Sequence, residues 1–199
     1  MDAKTVYLIR HGKILQEDDQ RRYIGQLDLP LAEEGVRQAR LLQKKLEPAE
    51  IAAVYCSDLA RSRRTAQIIT EGRSTPVFSR SDLREVGLGD WEGCTFADIA
   101  RRFPDKFKAR GADIGYYRIP GGESFADCSK RVIAAFHDLS ASAPGNILIV
   151  GHAGVNRLLI CHLLGMPLAN LFRIVQDYGC LNIIHCTPAG YQLKMINGR

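Results

Sequence analysis

No run of apolar residues in this 199-residue chain approaches the roughly 20 that a bilayer-spanning helix needs, so a membrane protein is not expected. Internal repeats, low-complexity tracts and linkers rich in Pro, Gly or Ser are missing as well. That leaves one domain over residues 1–199 rather than an array. No CxxC pair occurs. The six cysteines (Cys56, Cys94, Cys128, Cys161, Cys180, Cys186) lack metal-ligand spacing, and several stand inside apolar runs, as free buried thiols do. His, Asp and Glu are not grouped at such spacing either, so neither a metal nor another cofactor is expected. Charge of one sign is barely in excess. Lys and Arg number 27 against 22 Asp and Glu, and the resulting +5 is spread along the chain. That argues against a nucleic-acid surface and suits an anionic small molecule. Met1-Asp2-Ala3-Lys4 leads straight into an apolar run with no space for a signal peptide, and the expected location is the cytoplasm. Monomer and homodimer both remain open.

With 46% apolar and 25% charged residues the chain has the balance of an ordinary globule with a sizeable core. The run around Thr5–Arg10 reads as a first strand. A helix opened by residues 31–35 follows, with Val36, Ala39, Leu42 and Leu46 on one face. Residues 51–56 read as a second buried strand, Ser57-Asp58 as a helix cap, and residues 59–70 as the helix. The middle, residues 73–122, is less regular, and its Gly-rich and aromatic stretches read as excursions over the sheet edge. Ser124 caps a long amphipathic helix. A strand at 146–150, a helix at 155–164 and a closing hairpin of 181–186 with 191–196 complete the chain. Alternation of strand and helix predicts a three-layer α/β/α domain, with a largely parallel central sheet and a small cap formed by loop insertions.

Two short segments stand out. Arg10-His11-Gly12 follows the apolar Val6-Tyr7-Leu8-Ile9, and Gly151-His152-Ala153-Gly154 follows Ile147-Leu148-Ile149-Val150. Two buried strands therefore deliver two histidines to one sheet edge, where open α/β sheets place their sites. A neutral imidazole can attack phosphorus, provided its other nitrogen donates to a fixed acceptor; the backbone near Gly12 is a candidate. Arginines beside it match the charge that a transferring phosphoryl group spreads over its oxygens.

These segments, taken with Ser57-Asp58-Leu59-Ala60-Arg61, Leu83-Arg84-Glu85, Gly89-Asp90-Trp91-Glu92-Gly93 and Pro120-Gly121-Gly122-Glu123-Ser124, resemble the histidine phosphatase superfamily, the phosphoglycerate-mutase-like group. Six motifs in the same order are far more specific than one Arg-His-Gly. The resemblance implies His11 as a nucleophile forming phosphohistidine, and Arg10, Arg61 and His152 as the phosphate cradle. It places the general acid at Glu85 rather than at Glu92, leaving Asp90 and Glu92 to anchor loops. The substrate is then a small phosphate monoester, and the arginine clamp does the work that a metal would do.

Where the family usually has Glu or Gln, Thr and Asn after Arg-His-Gly, this chain has Lys13, Ile14 and Glu17. A carboxylate at Glu17 cannot donate to phosphate unless protonated, and Lys13 is a partial substitute. Mutases of the family usually carry longer insertions and extra basic residues, so net hydrolysis is expected here. A phosphoglycerate-type mutase and a non-catalytic phospho-ligand module are the lesser alternatives. Residues 21–31 and 178–182 look like the α-ribazole phosphatase branch, which removes a 5′-phosphate. A broader sugar or nucleotide phosphatase is the other hydrolytic reading. Arg22, Tyr23, Gln26 and Tyr117 are the candidate wall of the substrate pocket. Tyr117 has two readings, a ring-stacking partner or, as aromatic pairs in loops more often are, a side chain packed onto the domain.

Overall fold

The computed structural model describes residues 3–199; Met1 and Asp2, with the reading placed on them, lie outside the described residues. In chain order the elements are β1 (Lys4–Arg10), α1 (Glu33–Lys45), β2 (Ala53–Cys56), α2 (Ala60–Thr70), β3 (Val77–Ser79), α3 (Phe96–Arg102), α4 (Pro104–Ala112), α5 (Phe125–Ser142), β4 (Ile147–Gly151), α6 (Ala153–Leu163), β5 (Leu181–Thr187) and β6 (Gly190–Gly198). The strands form one sheet in the order β3-β2-β4-β1-β5-β6. The pairs β3–β2, β2–β4 and β4–β1 are parallel, while β5 and β6 close the edge as the antiparallel hairpin expected.

The central strands are buried on both faces, and side-chain alternation sorts them into two cores. Val6, Leu8, Ile147 and Ile149 point to the face covered by α5 and α6, where they meet Val132, Phe136, Leu139 and Leu158. Ile9, Leu148 and Val150 point to the opposite face and pack with Leu42, Leu46, Ala66 and Ile69 of the α1–α2 side. Leu8 and Ile9 are both fully buried. Each contributes about 1.5–3 kcal/mol by leaving water, which pins the strand from both sides to within two residues of His11. This is the three-layer arrangement that the alternation of elements predicts.

Register then does the decisive work. Arg10 is paired with Gly151 across β1 and β4, so the residues that follow, His11 and His152, emerge from adjacent strand ends. At Gly12 the chain passes so close to α1 that a Cβ would lie 2.4 Å from the Gly35 carbonyl oxygen. A side chain there would push the histidine turn off its place.

Two local readings change. Residues 73–122 are more helical than their composition suggests, since α3 and α4 fall within them. Thr95 caps α3 by accepting the Asp98 N–H, and Pro104 starts α4 at a first-turn position where its missing N–H costs nothing. Ser57-Asp58 does not cap α2; the first residue before that helix is Leu59, with no side-chain bond of its own. The acceptor comes instead from Asp28, whose Oδ1 takes the Ala60 N–H at 2.7 Å. The cap read at Ser124 is present as a full capping box with Asp127.

Candidate active site

His11 is 4% exposed, and its Nδ1 lies 2.8 Å from the Gly12 carbonyl oxygen. A carbonyl only accepts, so Nδ1 carries the ring proton and Nε2 is left as a lone pair. Burial, then the Arg61 and Arg10 charges, hold its pKa well below the ordinary histidine value. The imidazole is therefore held neutral, with Nε2 unprotonated. His152 is fully buried with its ring centroid 5.0 Å from that of His11. Its Nε2 lies 2.7 Å from Ser57 Oγ, which itself receives the Leu59 N–H. The serine hydroxyl proton goes to Nε2, and Nδ1 is the donor left over. Burial and the neighbouring His11, Arg61 and Arg10 push its pKa down as well.

Both arginines are anchored from behind. Arg10 donates Nη1 to the Gln176 carbonyl at 2.6 Å, and its Cζ sits 3.6 Å over the Tyr178 ring. Arg61, 1% exposed, donates Nη1 and Nη2 to the carbonyls of Leu27 and Gly25. Among the described residues, the buried side-chain polar atoms without a partner are Arg10 Nε, Arg61 Nε and His152 Nδ1. Orphaned buried donors are costly and rare in native folds. Here all of them belong to the set that the sequence assigns to one phosphate.

Glu85 lies opposite. Its Oε2 accepts the Gly154 N–H at 2.9 Å, and its Oε1 accepts those of Val86 at 3.0 Å and Val155 at 3.2 Å. A Cβ at Gly154 would stand 2.5 Å from Oε1, so glycine is what admits the carboxylate to the start of α6. The segment carrying Glu85 is nailed down by Arg131 of α5, which donates to the carbonyls of Asp82, Arg84 and Glu85 and pairs with Glu123 at 2.8 Å. Glu92 is elsewhere employed: it accepts the N–H groups of Gly25, Gln26, Leu27 and Leu88, the loop-anchoring task expected of it.

Arg10, His11, Arg61 and Glu85 line an inner crevice of about 240 Å³ together with Ile14, Gln16 and Tyr178. It runs into a mouth of about 290 Å³ that shares Arg10, Arg22, Ile24 and Glu85 and adds Tyr23, Phe96, Phe125 and Phe172. Arg22 and Tyr23 thus reach the wall, Arg22 with its charge committed to Asp18 at 2.7 Å and Tyr23 stacked on Phe96 with centroids 4.0 Å apart. Gln26 and Tyr117 do not. The Gln26 amide turns behind the site to the Glu85 carbonyl, and the Tyr117 ring packs onto the core 6.3 Å from Trp91. Lys13 is exposed and Glu17 lines a separate hollow, so neither replaces the family's asparagine. Gln16 is the amide that faces the crevice. Sequence reasoning did not single out Gln16, Tyr178, Ser57 as a partner of His152, or Arg131. No group of three or more His, Cys, Asp or Glu among the described residues is placed to hold a metal ion. None of the described helices is long and apolar enough to cross a membrane.

The buried neutral histidines tie stability to pH. The unfolded chain binds protons at both positions below about pH 6.5, and the folded chain does not until much lower pH. Stability from this source is present above the unfolded value and falls by about 3 kcal/mol per pH unit beneath it for the pair. Thermal melts between about pH 7.5 and about pH 5.5 should show Tm dropping, with a shallower slope in His11→Asn. Equal slopes would contradict the assignment.

Comparison with known proteins gives the same family from several directions. Residues 6–199 match the histidine phosphatase superfamily (branch 1). The chain is 34% identical over 195 residues to the adenosylcobalamin/alpha-ribazole phosphatase of Salmonella typhimurium, covering 98% of this chain and 96% of that protein. It is similar to the crystal structure of a putative alpha-ribazole-5′-P phosphatase from Escherichia coli, with a TM-score of 0.91 and 32% identity over 100% of this chain and 98% of the other. A mycobacterial glucosyl-3-phosphoglycerate phosphatase has a TM-score of 0.88 at 27% identity, covering 99% and 100% of the two chains. Motif order, strand register and these likenesses agree: the chain belongs to the histidine phosphatase superfamily, branch 1, and is a hydrolase of phosphate monoesters.

Proposed function

We propose that the chain hydrolyses α-ribazole 5′-phosphate through a phosphohistidine on His11. The observation that carries the mechanism is the convergence of three orphaned buried donors, on Arg10, Arg61 and His152, beside a histidine with a free Nε2. They hold the non-bridging oxygens while Nε2 attacks phosphorus. The ester P–O bond breaks with its electron pair on the leaving oxygen, which takes a proton from Glu85. Glu85 then removes a proton from water as that water attacks phosphorus, the N–P bond breaks, and phosphate departs.

The substrate rests on the full-length likeness to alpha-ribazole phosphatases and on the apolar and aromatic wall of the mouth. Ile24, Val86, Leu88, Phe125 and Phe172 offer a flat, uncharged base apolar surface beside the ester. With a chelator present, since the arginines supply the clamp, α-ribazole 5′-phosphate should exceed glucose 6-phosphate and adenosine 5′-phosphate in kcat/KM by about tenfold or more. A flat profile would favour the broad sugar or nucleotide phosphatase, and loss of all activity to the chelator would defeat the metal-free mechanism.

A further inference from the structure

We propose that His137 and His162 form a surface site for a divalent first-row transition-metal ion, of the class Cu²⁺, Ni²⁺ and Zn²⁺. His137 belongs to α5 and His162 to the last turn of α6. The site is separate from the crevice: at the rise of a helix, His162 stands about 15 Å along α6 from His152, which precedes its first turn. The two histidines are 25 residues apart in the chain, so no local ligand spacing announces them. Packing of α5 on α6 nevertheless brings their Nε2 atoms to 2.9 Å. The ring centroids are 5.1 Å apart and the ring planes cross at 85°.

Two ring nitrogens in hydrogen-bond contact hold one small cation between them, because one must offer a lone pair to the other. In the apo pair that cation is a proton. A metal 2.0–2.1 Å from both nitrogens sets them about 2.9 Å apart at a right angle and about 3.4 Å apart at the tetrahedral angle. Exchanging proton for metal therefore asks the rings to turn and the nitrogens to part by about 0.5 Å at most. The neighbouring Phe136 and Cys161 are buried and fix the two helices, while His162 is exposed and His137 half-buried, so the rings turn on a firm base. Tyr191 of β6 completes the arrangement, its Oη 2.9 Å from His137 Nδ1. A histidine that gives Nε2 to a metal carries its proton on Nδ1 and donates it to an outer acceptor, which is the place of the phenol oxygen. Among the described residues no third His, Cys, Asp or Glu joins the pair, so water fills the other positions. Two imidazoles with water suit Cu²⁺ first, then Ni²⁺ and Zn²⁺, and not Mg²⁺ or Ca²⁺, which take oxygen ligands.

The rival account is a plain hydrogen-bonded clasp, in which the pair never holds more than its proton. Untagged protein, stripped with a chelator and then titrated with Ni²⁺ in a calorimeter, separates the two. Wild type should bind one equivalent, and its Tm should rise by about 5 °C or more once Ni²⁺ exceeds its Kd about 100-fold. His137→Gln and His162→Gln should each weaken binding by about tenfold or more and remove the Tm rise, and Tyr191→Phe should weaken it by about tenfold. His185→Gln should bind as wild type does. Electron paramagnetic resonance of the Cu²⁺-loaded protein should show imidazole nitrogen ligands, which tells this pair from a thiolate. Turnover of a phosphate ester at room temperature should be the same with and without one equivalent of Ni²⁺, because the ion lies away from the crevice. No saturable binding by wild type, or binding undiminished in both histidine variants, would overturn the proposal. Inhibition by Ni²⁺ that persists in His162→Gln would also overturn it, since the ion would then sit on the crevice histidines.

Discussion

Replacing His11 by alanine should lower kcat by about 10⁴-fold or more, the scale on which covalent enzymes lose their nucleophile. Phosphate binding should survive. Arg10 is fixed by the Gln176 carbonyl and Tyr178, Arg61 by Leu27 and Gly25, and His152 by Ser57, none of which depends on the His11 side chain. His152 does not take over, because its Nε2 is occupied by the serine and its Nδ1 holds the ring proton. Rapid quenching with a labelled ester should leave an acid-labile, alkali-stable phosphoryl group on wild-type protein and none on His11→Ala. Residual activity within about tenfold of wild type would mean that the nucleophile is another group.

The central site was legible in the sequence for a physical reason: it is built on strand ends. Burial fixes which residues of β1 and β4 face each core, register follows, and the histidines after Arg10 and Gly151 can only emerge side by side. Support from elsewhere leaves no such local trace. Ser57 has the composition and position of a helix cap, and only the parallel pairing of β2 with β4 brings it to His152. The true cap of α2, Asp28, stands in a loop 32 residues away. Arg131 reads as one more polar residue on an amphipathic helix, yet it holds the Glu85 segment through three carbonyls. The mouth was obscured differently. In α3 and α4 the one buried residue is Ile99, so the helical period that would have revealed them is faint. The wall residues Phe96 and Arg110 were hidden with them. Tyr117 left two readings open in the sequence, stacking on a substrate ring or, as aromatics in loops more often do, packing onto the domain. Its neighbour in space is Trp91.

Glu85→Gln should separate chemistry from scaffolding. On an alkyl phosphate the leaving oxygen departs as an alkoxide unless it is protonated, and removing the acid should lower kcat by roughly 10²–10⁴-fold. A nitrophenyl ester behaves differently, since nitrophenolate leaves without a proton. Phosphorylation of His11 should then stay fast, and the later attack of water, which needs a base, should become slow. The expected record is a burst of about one nitrophenolate per enzyme followed by a slow steady state, with no burst on the alkyl ester. The same carboxylate also accepts the N–H groups of Val86, Gly154 and Val155. Glutamine keeps one acceptor there and turns an NH₂ toward donors, which costs about 1–3 kcal/mol and is readable as a lower Tm. Stability and chemistry therefore report independently. If both esters lose activity equally and no burst appears, Glu85 only holds the start of α6, and the proton must come from elsewhere in the crevice.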